Sequence, residues 1–333
     1  MRQLICIVCM LLFNICLIGQ NKSSVITKVT ATWCPNCGTW GWDYFEELKD
    51  VYANSSQTTL LGVHHSGDLR NNVSSWYANN LKFTYQPQFY HNNFPLNVSR
   101  NNWEDKVEEA EDLVDQFSAE TSGVSFSFEK AYVDNGDIVC NVNFNASNKS
   151  LVDNYFAIYV FENNVMNNQS SRGMSLHPNV LRDVMSDNNQ GDLFTGEDEN
   201  GASVFSKEYR MALDNSWDAD NVGLLAVLWT EENGNYVLDN SSSIYNIGLL
   251  SSNSEVIESD LVKIAYVSNG FEINTELDGQ TKFMLYNSNA QLLQSGLFEY
   301  STTIETQNQT PGIYSILLSN GNKVYTQQVV ITQ

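Results

Sequence analysis

Beyond residue 20 the spacing of apolar side chains changes character twice. Between residues 25 and 121, short β-branched runs alternate with stretches of helical period. Val25 to Thr32 and Thr58 to His64 read as strands, because consecutive Val, Ile and Thr side chains suit a pleated, buried ribbon. Trp40, Tyr44, Leu48 and Val51, joined by Phe45 and Tyr52, keep helical spacing and predict an amphipathic helix; Val73, Trp76, Tyr77 and Leu81 predict a second. A third starts near Trp103 and carries its apolar stripe on Val107, Ala110, Val114 and Phe117. Glu104, Asp105, Glu108, Glu109, Glu111, Asp112 and Asp115 form its solvated remainder.

From Gly123 the period becomes two. In DIVCNVNF, Ile138, Cys140, Val142 and Phe144 share one face, and NYFAIYVFE, VFSKEYRMAL and NVGLLAVLWTE predict further strands between Asn-, Asp- and Gly-rich turns. Residues 122–250 therefore predict an all-β sandwich with Cys140 as a small hydrophobe in its core. Residues 251–262 are polar and lack a clear period, as a linker does. Residues 263–333 hold GFEIN, KFMLYN, TTIET, GIYSILL and YTQQVVI, which predict a compact all-β module.

The start of the chain has a different logic. Met1 and Arg2 are followed by an almost unbroken apolar run from Leu4 to Ile18, shorter than a comfortable membrane span. This pattern predicts a signal peptide over residues 1–19 and an exported mature chain starting at Gln20; a retained anchor helix is the alternative. Lys plus Arg number 17 against 39 Asp plus Glu, a formal net charge of −22. Such a surface repels a phosphate backbone and excludes nucleic acid as a natural partner.

Removal of the leader takes Cys6, Cys9 and Cys16 and leaves Cys34, Cys37 and Cys140, too few for a disulfide scaffold. Cys34-Pro35-Asn36-Cys37 lies directly after a predicted strand and opens a predicted helix. Free N–H groups at a helix start favour a thiolate at Cys34, and two intervening residues bring Cys37 within disulfide reach, so a mixed disulfide can be resolved internally. Pro35 suits the first helical position. A structural disulfide and half of a zinc site are the other readings of this spacing; once Cys6 and Cys9 leave with the leader no second CxxC remains, and the four histidines lack finger spacing. Nothing in the sequence points to a cofactor.

The segment TATWCPNCGTWGWDYFEEL resembles the active-site region of the thioredoxin superfamily, in which a Trp-Cys-x-x-Cys run joins a strand to a helix. The resemblance implies an α/β thioredoxin-like domain over residues 20–121, with Cys34 attacking, Cys37 resolving and Trp33 beside them. It also implies a cis-proline loop against the cysteines, for which Pro95 in NNFPLNVSR is the first candidate and Pro87 the second. Many thioredoxins carry a buried carboxylate six residues before the first cysteine; here Lys28 stands there. Facing the pair, Lys28 would favour the thiolate and tune it toward oxidant or isomerase behaviour; on an edge strand it would be a surface lysine. Little room is left between Arg100 and Trp103 for that fold's last hairpin strand.

LLGVHHSGD, FPLNVSR, FENNVMNNQ and HPNVLRDVM, in that order, resemble the Bacteroidetes outer membrane protein 28-related family, a thioredoxin-like head followed by a β-domain. His177 and Arg182 match its His…Leu-Arg motif, and their spacing reads as a pinned loop rather than a site. His64 and His65 end a predicted strand near the cysteines but, as neighbours, point to opposite faces. The tail, GFEINTELDGQTKFMLYNSNAQLLQSG and TPGIYSILLSNGNKVYTQQVVI, is similar to the type A sorting domain of the type IX secretion system. That similarity implies the secretion machinery as a partner and a cell-surface, outer-membrane or extracellular destination.

Two functions follow as expectations. One is a thiol-disulfide oxidoreductase acting on the thiols or disulfides of exported polypeptides, with Pro95 shaping the docking edge. The other is a non-enzymatic adhesin or ligand-binding protein in which Cys34–Cys37 is a permanent disulfide.

Overall fold

The computed structural model describes residues 21–331 except 53–54, 56, 148–150, 248–254, 257–260, 268–269, 288–291, 308, 310–311 and 321–322. The expected signal peptide, residues 1–19, lies outside the described residues. Strand β1 (Ser24–Ala31) is followed by α1 (Trp40–Val51), β2 (Thr58–Ser66), α2 (Asn72–Asn80), β3 (Gln88–His91), β4 (Phe94–Leu96) and α3 (Lys106–Ser118). β1 is buried along its whole length because it is flanked on both edges, by parallel β2 and antiparallel β3, and covered on both faces. Its alternation divides those faces: Ile26 packs with Tyr44, Phe45, Leu48, Phe89, Ala110 and Val114, under α1 and α3. Val25 and Val29 pack with Val73, Tyr77 and Ala78 of α2. The Asn71 side chain caps α2 by accepting from the Ser74 N–H at 2.7 Å, and the Ser74 hydroxyl accepts from the Asn71 N–H at 3.0 Å.

The following strands are β5 (Ser125–Asp134), β6 (Asp137–Asn145), β7 (Asn154–Glu162), β8 (Val165–Gln169), β9 (Gly173–His177), β10 (Val180–Val184), β11 (Asp192–Leu193), β12 (Val204–Ala212), β13 (Val222–Glu232) and β14 (Asn235–Ile244). The expected boundary between residues 121 and 122 does not separate two sheets. One sheet runs β14-β13-β7-β10-β2-β1-β3-β4, with β11 beside β7. The join is made by β10, whose Val180 pairs in parallel with Gly62 of β2. The physical reason is the uninterrupted apolar character of NYFAIYVFE and NVGLLAVLWTE, which need cover on both faces. Ala157, Tyr159, Phe161, Leu225, Val227 and Trp229 share the α2 core, while Phe156, Ile158, Val160, Leu224 and Leu228 meet the β12-β6-β5 sheet. Cys140 lies in that second core, where burial pushes its thiol up to about 12.

The C-terminal strands are β15 (Glu255–Val256), β16 (Val262–Val267), β17 (Gly270–Thr275), β18 (Thr281–Asn287), β19 (Leu292–Phe298), β20 (Ser301–Glu305), β21 (Gly312–Asn320) and β22 (Lys323–Ile331). They form a β15-β22-β21-β18-β19 sheet and a β16-β17-β20 sheet around Phe271, Ile273, Phe283, Leu285, Ile304, Ile316 and Leu318. The linker is not wholly irregular: β15 falls inside it and pairs in parallel with β22. Among the described residues no helix is long and apolar enough to cross a membrane.

Candidate functional site

At the end of β1 the chain turns at once. The Cys34 N–H donates to the Ala31 carbonyl at 3.2 Å, closing a tight turn through Thr32 and Trp33. Cys34 and Cys37 are joined as a disulfide with Cα atoms 5.2 Å apart. Pro35, at φ −63°, leads into a single 3-10 turn over Asn36–Gly38, and the Cys37 N–H donates to the Cys34 sulfur at 3.2 Å.

The helix does not open near residue 35, as the sequence suggests. α1 starts at Trp40, after Thr39 leaves helical geometry at φ −112° and ψ −118°. Two glycines bracket the break and admit other chain segments on both sides. A Cβ on Gly38 would lie 2.1 Å from the Ser170 carbonyl oxygen, and one on Gly41 would lie 2.5 Å from the Pro87 ring. A negative sulfur at Cys34 is therefore favoured by the local Cys37 N–H rather than by the full dipole of α1.

The proline that meets this turn is Pro87. The cis peptide bond is Gln86–Pro87, and the Gln86 carbonyl oxygen lies 3.7 Å from the Cys34 sulfur. Pro95, the first candidate, sits in β4 opposite Tyr90 of β3. The β3–β4 hairpin occupies residues 88–96, so the segment that reaches the cysteines is the one preceding it. That hairpin also ends the sheet upstream of Arg100, which removes the apparent lack of room.

Lys28 is not on an edge strand. It is buried in β1 between Gly62 of β2 and Phe89 of β3, and its Nζ donates to the Cys37 carbonyl at 3.2 Å. Burial lowers its pKa to about 7, with nearby Arg172 pushing the same way against Glu46 and Asp43. The rings of Trp42 and Phe45, 5.1 and 5.5 Å from Nζ, offset part of that cost. His64 shares the compartment and is 5.1 Å, ring to ring, from His177, which in turn stands edge-on to Trp42 at 5.1 Å. Burial holds both imidazoles below their ordinary range, His177 at about 4. His65 points the other way and packs on Phe83. Arg182 pairs with Glu162 at 2.6 Å.

One wall of the site was not legible in the sequence. The β8–β9 hairpin reaches across from the middle of the chain, and its tip lies on the Cys34–Cys37 turn. Gln169 Nε2 donates to the carbonyls of Cys34 at 2.9 Å and Ala31 at 3.3 Å, and the Ser170 N–H donates to Thr32 at 2.7 Å. Arg172 pairs with Asp43 at 3.1 Å and stacks over Trp42. FENNVMNNQ carries no pattern that assigns these partners; the signal available was the pair Gly38 and Gly41, directly after the cysteines, where a missing Cβ admits another segment.

Access to the sulfurs is narrow. Cys34 is 4% exposed and Cys37 fully buried, while the flanking Trp33 is 55% exposed and Tyr85, beside Gln86, 48%. Trp33 Nε1 donates to Ser66 Oγ at 3.1 Å, which holds the indole at the rim.

The fold is similar to that of HBP35 of Porphyromonas gingivalis. The two match over 94% of this chain and 99% of the other, with a TM-score of 0.55 and 16% identity. At that identity the likeness shows the fold alone. A domain of the outer membrane lipoprotein Omp28 from the same organism matches 38% of this chain and 89% of its own length at 14% identity. Its TM-score of 0.26 carries no argument. No family model and no curated protein matches the chain.

Proposed function

We propose that this is an exported, envelope-associated protein whose thioredoxin-like head exchanges disulfides with polypeptides through Cys34 and Cys37. The observation that carries the reading is the meeting of the Cys34–Cys37 disulfide, at the end of the central strand β1, with the Gln86 carbonyl 3.7 Å from the Cys34 sulfur. In the oxidising direction a polypeptide thiolate attacks Cys34 Sγ, the Cys34–Cys37 bond breaks, and Cys37 leaves as a thiolate. A second thiolate of the same polypeptide then attacks the mixed disulfide and displaces Cys34. Two electrons pass from the polypeptide dithiol to the protein; reduction is the same path reversed. The amine of Lys28, held on the Cys37 carbonyl, favours the leaving thiolate whenever it carries its proton. The rim residues Trp33 and Tyr85 offer apolar contact to an arriving chain.

Replacing Cys34 by Ser should abolish insulin reduction and oxidative refolding of a reduced substrate, and replacing Cys37 by Ser should trap a mixed disulfide with that substrate. Activity at background level in the wild-type protein with both thiols free would refute the reading. For the tail, the similarity to type A sorting domains supports recognition by the type IX machinery and a surface destination. Deleting residues 263–333 should then strand the protein inside the outer membrane.

A second reading is favoured by the burial of both sulfurs: a structural disulfide in a surface adhesin or ligand-binding protein. The reduction potential separates the two, since structural disulfides fall below roughly −300 mV and labile ones lie above it.

A further inference from the structure

The turn that presents Cys34 is held by a residue 135 positions away. Residues 31–34 expose three carbonyls toward the β8–β9 hairpin, and its tip supplies a donor to each: Gln169 Nε2 to Ala31 and Cys34, and the Ser170 N–H to Thr32. The Gln169 side chain is buried at 1% exposure, so its two bonds are not shared with solvent. The hairpin is itself fixed on α1 by Arg172, through Asp43, Glu46 and the face of Trp42. Without Cβ atoms at Gly38, the Ser170 carbonyl and the Gln169 methylene come against the backbone that follows Cys37. The hairpin tip therefore touches the redox turn on both sides of the cysteine pair.

We propose that Gln169 is a positioning residue for disulfide exchange, its amide fixing the Ala31–Cys34 turn so that Cys34 Sγ stays in line with Cys37 when a mixed disulfide is resolved. The proposal rests on the exchange reading above and deepens it: the redox site is completed by a segment outside the strands and helices that carry the cysteines. Resolution is an intramolecular attack along the axis of the Cys34–substrate bond, so its rate depends on alignment far more than the first attack does. With the tether removed, the turn keeps its own Cys34 N–H to Ala31 bond but loses the restraint on the Cys34 carbonyl.

The test uses the reduced full-length protein and a substoichiometric amount of 5,5′-dithiobis(2-nitrobenzoate), followed by stopped-flow absorbance. Attack by the Cys34 thiolate breaks the reagent's disulfide and releases one thionitrobenzoate. Attack by the Cys37 thiolate on the mixed disulfide then releases the second, in a phase independent of reagent concentration. Gln169→Glu keeps the length of the side chain but has no N–H to donate; Gln169→Leu has no polar atom. Both are expected to slow the second phase about tenfold or more while the first changes by less than about twofold.

A second phase unchanged in both variants, or an equal slowing of both phases, would overturn the role of Gln169. Absence of the first phase in the wild-type protein would overturn the exchange reading itself, and this proposal with it. Circular dichroism and melting of each variant separate a loss of alignment from a loss of fold, since partial unfolding exposes Cys34 and speeds the first phase.

Discussion

Lys28 Nζ donates to the carbonyl oxygen of Cys37, which places a buried amine against the disulfide turn. Burial lowers its pKa to about 7, whereas an unfolded lysine holds its proton to about 10.4. Between those values the unfolded chain binds more protons than the folded one, so stability rises with pH across the window and is lost as pH falls toward 7. Lys28→Met, similar in length and apolar, removes this proton uptake. Denaturant unfolding should show wild type gaining roughly 2 kcal/mol more than the variant on going from about pH 7 to about pH 9, at about 1.4 kcal/mol per unit. An equal gain in the two proteins would show that the amine is solvated.

His64 and His177 face each other across the same compartment and carry the opposite end of the pH dependence. Both are held low by burial, His177 at about 4; the charges that face them are Lys28 for both, and Arg182 and His65 for His64. An unfolded histidine takes up its proton near pH 6.5, so stability present above that value is lost as pH falls from about 6.5 toward 4. Over that interval His177→Phe, which keeps an aromatic ring against Trp42, should lose roughly 2–3 kcal/mol less than wild type. Melting curves taken at several pH values measure this directly. Parallel pH profiles for the two proteins would mean that His177 is protonated in the folded state.

Why the strands and helices were readable while half of the site was not is a matter of range. Tyr44 and Leu48 in α1, and Val107, Ala110 and Val114 in α3, fall three or four residues apart and mark those helices; Ile138, Cys140 and Val142 alternate and mark β6. Cys34 and Cys37 are local by definition. The joining of β10 to β2, the choice of Pro87 over Pro95 and the placing of Gln169 on Cys34 depend instead on segments distant in sequence. Those pairings leave no periodic trace. Lys28 shows the same limit: its strand was legible, but whether that strand was central or peripheral was decided by β3, which pairs along its outer edge. The start of α1 was misplaced because Thr39 breaks the helix for a reason found in Ser170 and Pro87, not in its neighbours.

Gly41 should resist replacement although it lies in a helix. Alanine is a better helix former than glycine by about 1 kcal/mol, so on propensity alone Gly41→Ala would stabilise. Against this, the new Cβ would lie 2.5 Å from Cγ and 2.9 Å from Cβ of Pro87, atoms of a rigid ring, and 3.1 Å from the Asn36 carbonyl. Overpacking of that kind costs about 1–3 kcal/mol, and neither the ring nor the 3-10 turn has a free rotamer with which to yield. With two rigid ring atoms closer than 3.0 Å the upper part of that range applies, about 2–3 kcal/mol, and after the helix gain of about 1 kcal/mol the net expectation is destabilisation of about 1–2 kcal/mol, with α1 displaced from the Gln86–Pro87 loop and exchange slowed. A variant as stable and as active as wild type would show that the helix and the loop are not in contact.

Arg182 separates a structural residue from a chemical one. Its guanidinium bonds Glu162 through Nε at 2.8 Å and Nη2 at 2.6 Å, and Glu162 also accepts the Asp218 N–H at 2.8 Å. Both side chains are largely shielded, at 16% and 6% exposure, so removing one partner strands a buried charge. Arg182→Met should therefore cost about 3 kcal/mol in denaturant unfolding, whereas Arg182→Met combined with Glu162→Met should recover much of that loss, because the second change removes the unpaired carboxylate. The pair joins β10 to the end of β7, so its loss should loosen the sheet where β10 meets β2, leaving the rate of thionitrobenzoate release near that of wild type under conditions where the variant is folded. If instead the rate fell while stability held, Arg182 would belong to the chemistry and the assignment of the His177…Arg182 segment as a pinned loop would be wrong.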